Sequence, residues 1–388
     1  MTDRTNFPMV LVIWGAGLGA AGQYAKVSVA FADIGALYPD AGAALGFIVS
    51  LVGFVGIVLG VVAGLVVARI RYRRAMLWAL WSGAVLSAFQ ATLPALPLLL
   101  ASRVLEGVSH LALVVAAPTL IAALSAERHR GFTLSLWSTF FSVAFTILVT
   151  FGLPLVAWGG VPALFWAHAA WMAGFAVILT LFLRPVEAPP PAPLSLSGVL
   201  RDHITIYRSP RIAAPGVGWI FYTFCFLAIL TVLPPFIPEA WRVFTLAAMP
   251  LVSILSSLTL GVFALRYLSA VQVVQLGFVL CAVTLIWLWV VPGSPVACLA
   301  LAAAFGLVQG ATFAAVPQLS PTPDEQAQSY GALAQAGNLG NTIGTPALLA
   351  VLALSGYGGM ILLCAVVLAL GAVSHALFAT RRGLASRA

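Results

Sequence analysis

Long apolar runs recur along the whole chain, each closed by glycine, proline or a cluster of charges. Twelve can be marked out, at 9–31, 42–68, 75–93, 96–124, 132–157, 162–183, 212–237, 243–265, 270–291, 295–317, 329–354 and 357–380. About 20 such residues cross a bilayer as a helix, whereas a membrane barrel needs segments of about 10 residues alternating in polarity. Runs such as "LGFIVSLVGFVGIVLGVVAGLVVA" do not alternate. The pattern predicts an all-α membrane protein of twelve transmembrane helices. The first run, from Met9, lacks a small-residue cleavage site, so it reads as a retained span rather than a removed signal peptide. The longest polar interval, "RPVEAPPPAPLSLSGVLRDHITIYRSPR" at 184–211, separates six runs from six. Three parts are therefore expected: an N-terminal six-helix bundle over 1–183, a cytoplasmic linker over 184–211 and a C-terminal six-helix bundle over 212–388. The linker's proline run favours an extended chain, and "SLSGVLRDHITIYRS" after it predicts a short amphipathic surface helix.

Composition agrees with the pattern, since 62% of residues are hydrophobic and only 7% charged, against about 25% charged in soluble domains. A net charge of +8 raises the question of a nucleic-acid partner. The placement of the basic residues answers it. On the twelve-span reading, 15 of the 18 lysines and arginines fall on the side bearing both termini, which the positive-inside rule makes cytoplasmic. The charge is a topology signal, no nucleic acid is expected, and the chain reads as a multi-pass protein of a bacterial inner membrane. Cys225, Cys281, Cys298 and Cys364 are scattered through apolar runs without metal-site or disulfide clustering, so they read as packing residues and no metal is expected.

Ionisable residues inside the runs are few. The fourth run contains "LASRVLEGVSHLALVV", in which Arg103, Glu106, Gly107 and His110 stand at i, i+3, i+4 and i+7, on one stripe of a helix. A charge facing lipid costs at least about 2.5–3.5 kcal/mol, so the stripe is expected to face the bundle interior or a wet cavity. Lys26 in the first run reaches a similar depth. One reading makes Lys26 and Arg103 a positive field for an anionic group, with Glu106 or His110 taking up a proton. The other makes Arg103 and Glu106 a structural ion pair, with Lys26 bonded to carbonyls or Gln23. The C-terminal runs offer neutral amides instead, Gln309, Gln335 and Asn338, which bind solutes but exchange no protons. Gly337, Gly340 and Gly344 beside them suit close helix approach. Tyr24, Trp137 and Tyr222 are the aromatic candidates for a pocket wall.

A weak internal repeat pairs "RVLEG" at 103–107 with "GLVQG" at 306–310, each followed by a polar loop and a span opening on glycine. Repeated six-span halves with pseudo-two-fold symmetry around a central cavity are a secondary-transporter architecture. Several residues resemble the major facilitator superfamily, over the whole chain. "GLVVARIRYRR" is similar to its loop motif after the second span: Gly64, Arg69, Arg73 and Arg74 fit, while Ala68 stands at the Asp position and Arg71 at the inner glycine position. "RVLEG" resembles the fourth-span motif Arg-x-x-Gln-Gly, with Glu106 at the Gln position, and "AERHRG" at 126–131 resembles the following loop. The resemblance implies a monomeric secondary transporter for a small-molecule substrate, with protons as coupling ion, the bilayer as its setting and Gly64, Arg69, Arg73 and Arg74 as a conformational loop.

Uptake of a small organic, anionic solute by proton symport is the first expectation, and proton-coupled efflux of amphipathic compounds the alternative. "AAGQYAKVSVAF" resembles a branch that includes copper importers, but spans seven and eight lack the Met and His pairs that copper favours. No nucleophile with its base, cofactor loop or phosphate loop is present. "GAGLGAAG" at 15–22 lies within a span, so neither an enzyme nor a cofactor is expected.

Overall fold

The computed structural model describes residues 4–184 and 196–385, and every regular element among them is helical. The chain divides into two compact units, Met1–Leu194 and Ser195–Ala388. The first holds α1 (Phe7–Val29), α2 (Phe31–Leu37), α3 (Leu45–Ser50), α4 (Phe54–Ile70), α5 (Tyr72–Gln90), α6 (Leu96–Ala123), α7 (Glu127–Ser138), α8 (Phe140–Ile147) and α9 (Leu153–Phe182). The second holds α10 (Leu196–Arg208), α11 (Ala213–Val232), α12 (Glu239–Ser256), α13 (Val262–Ala264), α14 (Ala270–Val290), α15 (Pro295–Leu319) and α16 (Pro323–Ala385).

Eight helical stretches among the described residues are long and apolar enough to cross a membrane, so the chain is a multi-pass membrane protein. The difference from twelve expected runs has physical causes. Gln328–Gly383 counts once although its 56 residues measure about 84 Å as a straight helix, far beyond a hydrocarbon core of about 30 Å. It is broken at Gly356, where φ is +65°, and α9 is broken likewise at Gly160, where φ is +71°. Residues with a Cβ avoid this region. Both breaks fall between expected spans, at 158–161 and 355–356. The second expected run begins within the 3-10 stretch Pro39–Ala44 and passes through a 3-10 turn at Leu51–Gly53 between α3 and α4, which continues to Ile70. α5 opens on Arg73 and Arg74 and carries Ser82, Ser87 and Gln90, which lowers its hydropathy.

Packing in the first unit explains the glycine-rich "GAGLGAAG". A Cβ on Gly15 would lie 2.5 Å from the Phe175 ring, one on Gly17 2.4 Å from Trp137, one on Gly19 2.5 Å from the Met172 sulfur, and one on Gly22 2.9 Å from His168. Bare backbone on α1 thus receives four large side chains, the small-residue packing that membrane helices favour. On α6, Gly107 meets backbone: its Cβ would stand 2.4 Å from the Val52 carbonyl oxygen. In the second unit Gly310 on α15 occupies the corresponding repeat position, and its Cβ would stand 2.2 Å from Ser257 Oγ, where α12 passes into a π-helical turn.

The loop-motif arginines divide by role. Arg73 caps the end of α9, donating from Nε to the Leu183 carbonyl at 2.6 Å and from Nη2 to the Thr180 carbonyl at 2.9 Å. A cation there also offsets the negative end of the helix dipole. Gly64 and Arg69 lie in α4, and the side chains of Arg69 and Arg74 are exposed. Arg71, at the position where the resembled motif has glycine, adopts φ +72° and ψ 128° between α4 and α5. Such a conformation costs a non-glycine residue about 1–3 kcal/mol. Arg71→Gly is therefore expected to raise the stability of the purified protein by about 1 kcal/mol once glycine's larger unfolded-state entropy is subtracted. Thermal unfolding in detergent measures it, and an unchanged or lowered midpoint refutes it.

Candidate functional site

The site grows from the stripe on α6. Arg103 and Glu106 have no exposed surface and His110 only 7%, as one face of a helix buried against its neighbours requires. Each charged group is met by more than one helix. Glu106 Oε1 accepts from Lys26 Nζ on α1 at 2.7 Å, while Oε2 accepts from Gln90 Nε2 on α5 at 2.8 Å and from Arg103 Nη1. Arg103 also donates from Nε to the Ile48 carbonyl at 2.6 Å and from Nη2 to the carbonyls of Gln23 at 2.6 Å and Val49 at 3.4 Å. Free carbonyls near the ends of short α3 make this possible, since Ile48 and Val49 stand within four residues of its C-terminus.

Lys26 is equally enclosed. Besides Glu106 it donates to Ser87 Oγ on α5 at 2.9 Å and faces His168 Nδ1 on α9 at 3.3 Å, with the Phe165 ring 5.1 Å away. Ser87 passes its own hydrogen to the Phe165 carbonyl at 2.9 Å, and His168 Nε2 stands 2.9 Å from the Gly19 carbonyl. A carbonyl only accepts, so Nε2 carries the ring hydrogen and Nδ1 offers a lone pair to the lysine. The three N–H groups of Lys26 thus have three acceptors. One carboxylate stands against two cations, leaving a buried excess of one positive charge.

The structure brings Lys26, Arg103 and Glu106 into one network. His110 stands beside it: its Nδ1 donates to the Ala20 carbonyl at 3.0 Å, and its ring meets the Tyr24 ring edge-on at 5.1 Å. Tyr24 is buried and its hydroxyl has no hydrogen-bond partner, as is true of the Oε1 atoms of Gln23 and Gln90. Trp137 is half-buried against Gly17 and stacked on Phe140 at 4.4 Å. Ser87, Gln90, Ser102 and His168 complete the network. In the sequence Ser87, Gln90 and His168 have no spacing signal tying α5 and α9 to α6, whereas Ser102 adjoins Arg103 on α6 itself.

Beside His168 lies a cavity of about 170 Å³, walled by Leu18, Gly19, Gly22, Leu148, His168 and Trp171 among other, mostly apolar residues. It forms where α8 passes through a π-helical turn at Leu148–Gly152, the kind of irregularity that often marks a functional site.

The neutral candidates lie in the second unit. Tyr222 is buried, stacked between Trp219 at 4.3 Å and Phe226 at 5.2 Å, and donates to Gln309 Oε1 at 3.3 Å, which Ser253 also approaches at 3.4 Å. Gln335 is engaged by the linker helix: its Oε1 accepts from the Tyr207 hydroxyl at 2.7 Å and its Nε2 faces His203 Nε2 at 3.3 Å. Partial burial pushes the Tyr207 phenol up from its ordinary value, so the group remains a donor at neutral pH. Asn338 turns back on its own helix, donating to the Ala334 carbonyl at 2.9 Å. No group of three or more His, Cys, Asp or Glu among the described residues is placed to hold a metal ion. The four cysteines are free and buried.

Residues 9–240 match the family model described as the Major Facilitator Superfamily. Among solved structures, the human organic anion transporter MFSD10 (TETRAN) is similar with a TM-score of 0.69 and 16% sequence identity, covering 94% of this chain and 98% of that one. No curated protein matches the chain.

Proposed function

Since the chain belongs to the major facilitator superfamily, we propose that this transporter takes up a small organic anion together with a proton, by alternating access of two six-span halves. The observation that carries the reading is the buried excess of one positive charge in the Lys26, Glu106 and Arg103 network. Intramembrane ionisable groups are functional candidates by default. At about 8 Å and an effective dielectric of about 20, one uncompensated charge attracts an anion by about 2 kcal/mol. The donors of Lys26 are already engaged, so the anion is drawn by the field of the cluster rather than by a direct contact to that group. MFSD10 is an organic anion transporter, which agrees with an anionic solute here.

On this reading the breaks at Gly160 and Gly356 are loops between spans, α3 with α4 forms the second span expected at 42–68, α5 forms the third expected at 75–93, and the count is twelve. The linker and both termini are cytoplasmic, in a bacterial inner membrane, and the monomer is the transporting unit. Tyr24, His110, Trp137, Tyr222, Gln309, Gln335 and Asn338 remain candidates for the substrate path, and Gly64, Arg69, Arg73 and Arg74 for the loop that changes shape.

Proteoliposomes loaded with a more alkaline buffer and offered radiolabelled benzoate, citrate or a fluorescent organic anion test the reading. At one proton per monovalent anion, each pH unit of gradient sustains about a tenfold accumulation, and a protonophore abolishes it. Uptake indifferent to the gradient for every anion sinks proton symport. A second reading, efflux of amphipathic compounds, is favoured by the apolar cavity beside His168. Gradient-driven extrusion of a lipophilic dye, with no anion uptake, selects it.

A further inference from the structure

Lys26 is the only lysine in the chain, and the other seventeen basic residues are arginines. Arginine stays protonated at any pH a protein survives, whereas a buried lysine can surrender its proton. The chain therefore uses arginine for its surface cations and places its single lysine at a position without exposed surface.

Charge and hydrogen bonding decide which member of the network exchanges that proton. Glu106 receives three donors, from Lys26, Gln90 and Arg103. Protonating it would aim an O–H at three groups that now donate, of which only the Gln90 amide could turn an acceptor toward it, and would leave two buried cations without a counter-charge. Arg103 is fixed as a cation. Removing one proton from Lys26 leaves Arg103 and Glu106 as a neutral pair. The groups facing Lys26 are Glu106 and Arg103 on α6, His168 with the Phe165 ring on α9, and Ser87 on α5, and the neutral base among them is His168, whose Nδ1 lone pair faces Nζ at 3.3 Å with Ser87 Oγ 3.0 Å away. The same imidazole lines the cavity of about 170 Å³.

We propose that Lys26 carries the exchanged proton and that His168 relays it, while Glu106 remains a fixed carboxylate. In the step, an N–H bond of the Lys26 ammonium breaks, its electron pair stays on Nζ, and the proton bonds to His168 Nδ1. The imidazolium then passes its Nε2 proton to water entering the cavity. The net transfer is one proton from Lys26 to water, and the cluster falls from one positive charge to none. Anion attraction and the Lys26 proton therefore come and go together, which makes the symport electroneutral for a monovalent anion. The inference rests on the coupling role given to this network above, but its test reads the lysine itself.

The full-length protein labelled with ζ-15N-lysine has one lysine side-chain signal to follow by NMR. Raised stepwise through the pH range in which proteoliposomes take up benzoate with protons, the signal is expected to convert from ammonium to amine. In His168→Gln the interconversion slows about a hundredfold, the scale of a lost positioned acid–base group. A signal that remains ammonium while proton-coupled uptake proceeds overturns the proposal, as does interconversion at the wild-type rate in a folded His168→Gln variant. Conversion in wild type and slowing in the variant, without proton-coupled uptake of any anion tested, uphold the assignment and overturn only the transport reading.

Discussion

Glu106→Gln is expected to lower the stability of the purified protein by about 3–5 kcal/mol, the range seen when one partner of a buried charge network is removed. The amide keeps the shape of the carboxyl group and one acceptor, but it turns an NH2 toward either Lys26 Nζ or Arg103 Nη1. It also leaves both cations at zero exposure with no counter-ion. Lys26→Met is expected to cost only about 1 kcal/mol, because it leaves Arg103 and Glu106 as a balanced pair and fills the space with an apolar chain. The double variant then returns the cluster to a single positive charge. It should be more stable than Glu106→Gln alone, a coupling of 0.5–3 kcal/mol in sign and scale typical of contacting residues. Unfolding of the four proteins by heat or SDS measures the cycle. Equal losses in both single variants, with simple addition in the double, would mean that the charge balance is not what the network supplies.

The first contacts of this network were legible in the sequence and the rest were not, for a geometric reason. Helical periodicity relates Arg103, Glu106 and His110 because they share one helix face, and rise per residue places Lys26 at a matching depth. Nothing comparable links separate helices. Ser87, Gln90 and His168 are isolated polar residues whose partners are set by how α5 and α9 pack on α1 and α6. The carbonyls of Ile48 and Val49 are acceptors that any residue carries, available to Arg103 because α3 ends there. Breaks at Gly160 and Gly356 were visible as gaps between apolar runs. The interruption at Leu51–Gly53 lies inside a continuous apolar run, where hydropathy has no signal for a 3-10 turn. The amide Gln335 illustrates the converse: it stands out in the sequence as a neutral amide in an apolar run, but its partners on α10 come from a linker whose docking no periodicity encodes.

Gly344→Ala is expected to destabilise the protein by about 1–3 kcal/mol, the cost of forcing atoms into a packed helix contact, and Gly340→Ala by a similar amount. The added Cβ at 344 would stand 2.1 Å from the Phe224 carbonyl oxygen and 2.9 Å from its carbon. At 340 it would stand 2.5 Å from the Ile220 carbonyl oxygen and 2.8 Å from the Phe224 nitrogen, as well as 2.1 Å from Thr223 Oγ1. These are mostly backbone atoms of α11, which cannot rotate aside as a side chain would. The helices must move apart, and every side chain between them loses contact. Gly331 on the same helix supplies the control, because nothing lies within 4 Å of its Cβ position. Alanine there meets no obstacle and raises helix propensity by up to about 1 kcal/mol. Losses at 340 and 344 alongside a gain at 331 would identify close α11–α16 approach as the reason for the glycines. Equal effects at all three positions would instead attribute them to backbone flexibility. The contact also supports the aromatic wall of the second unit, since Gly337, one turn before Gly340, faces the Trp219 indole, whose nitrogen would lie 2.8 Å from a Cβ there. Trp219 stacks on Tyr222, and Tyr222 donates to Gln309. Separating α11 from α16 should therefore alter solute uptake in proteoliposomes even where the variant remains folded, whereas Gly331→Ala should not.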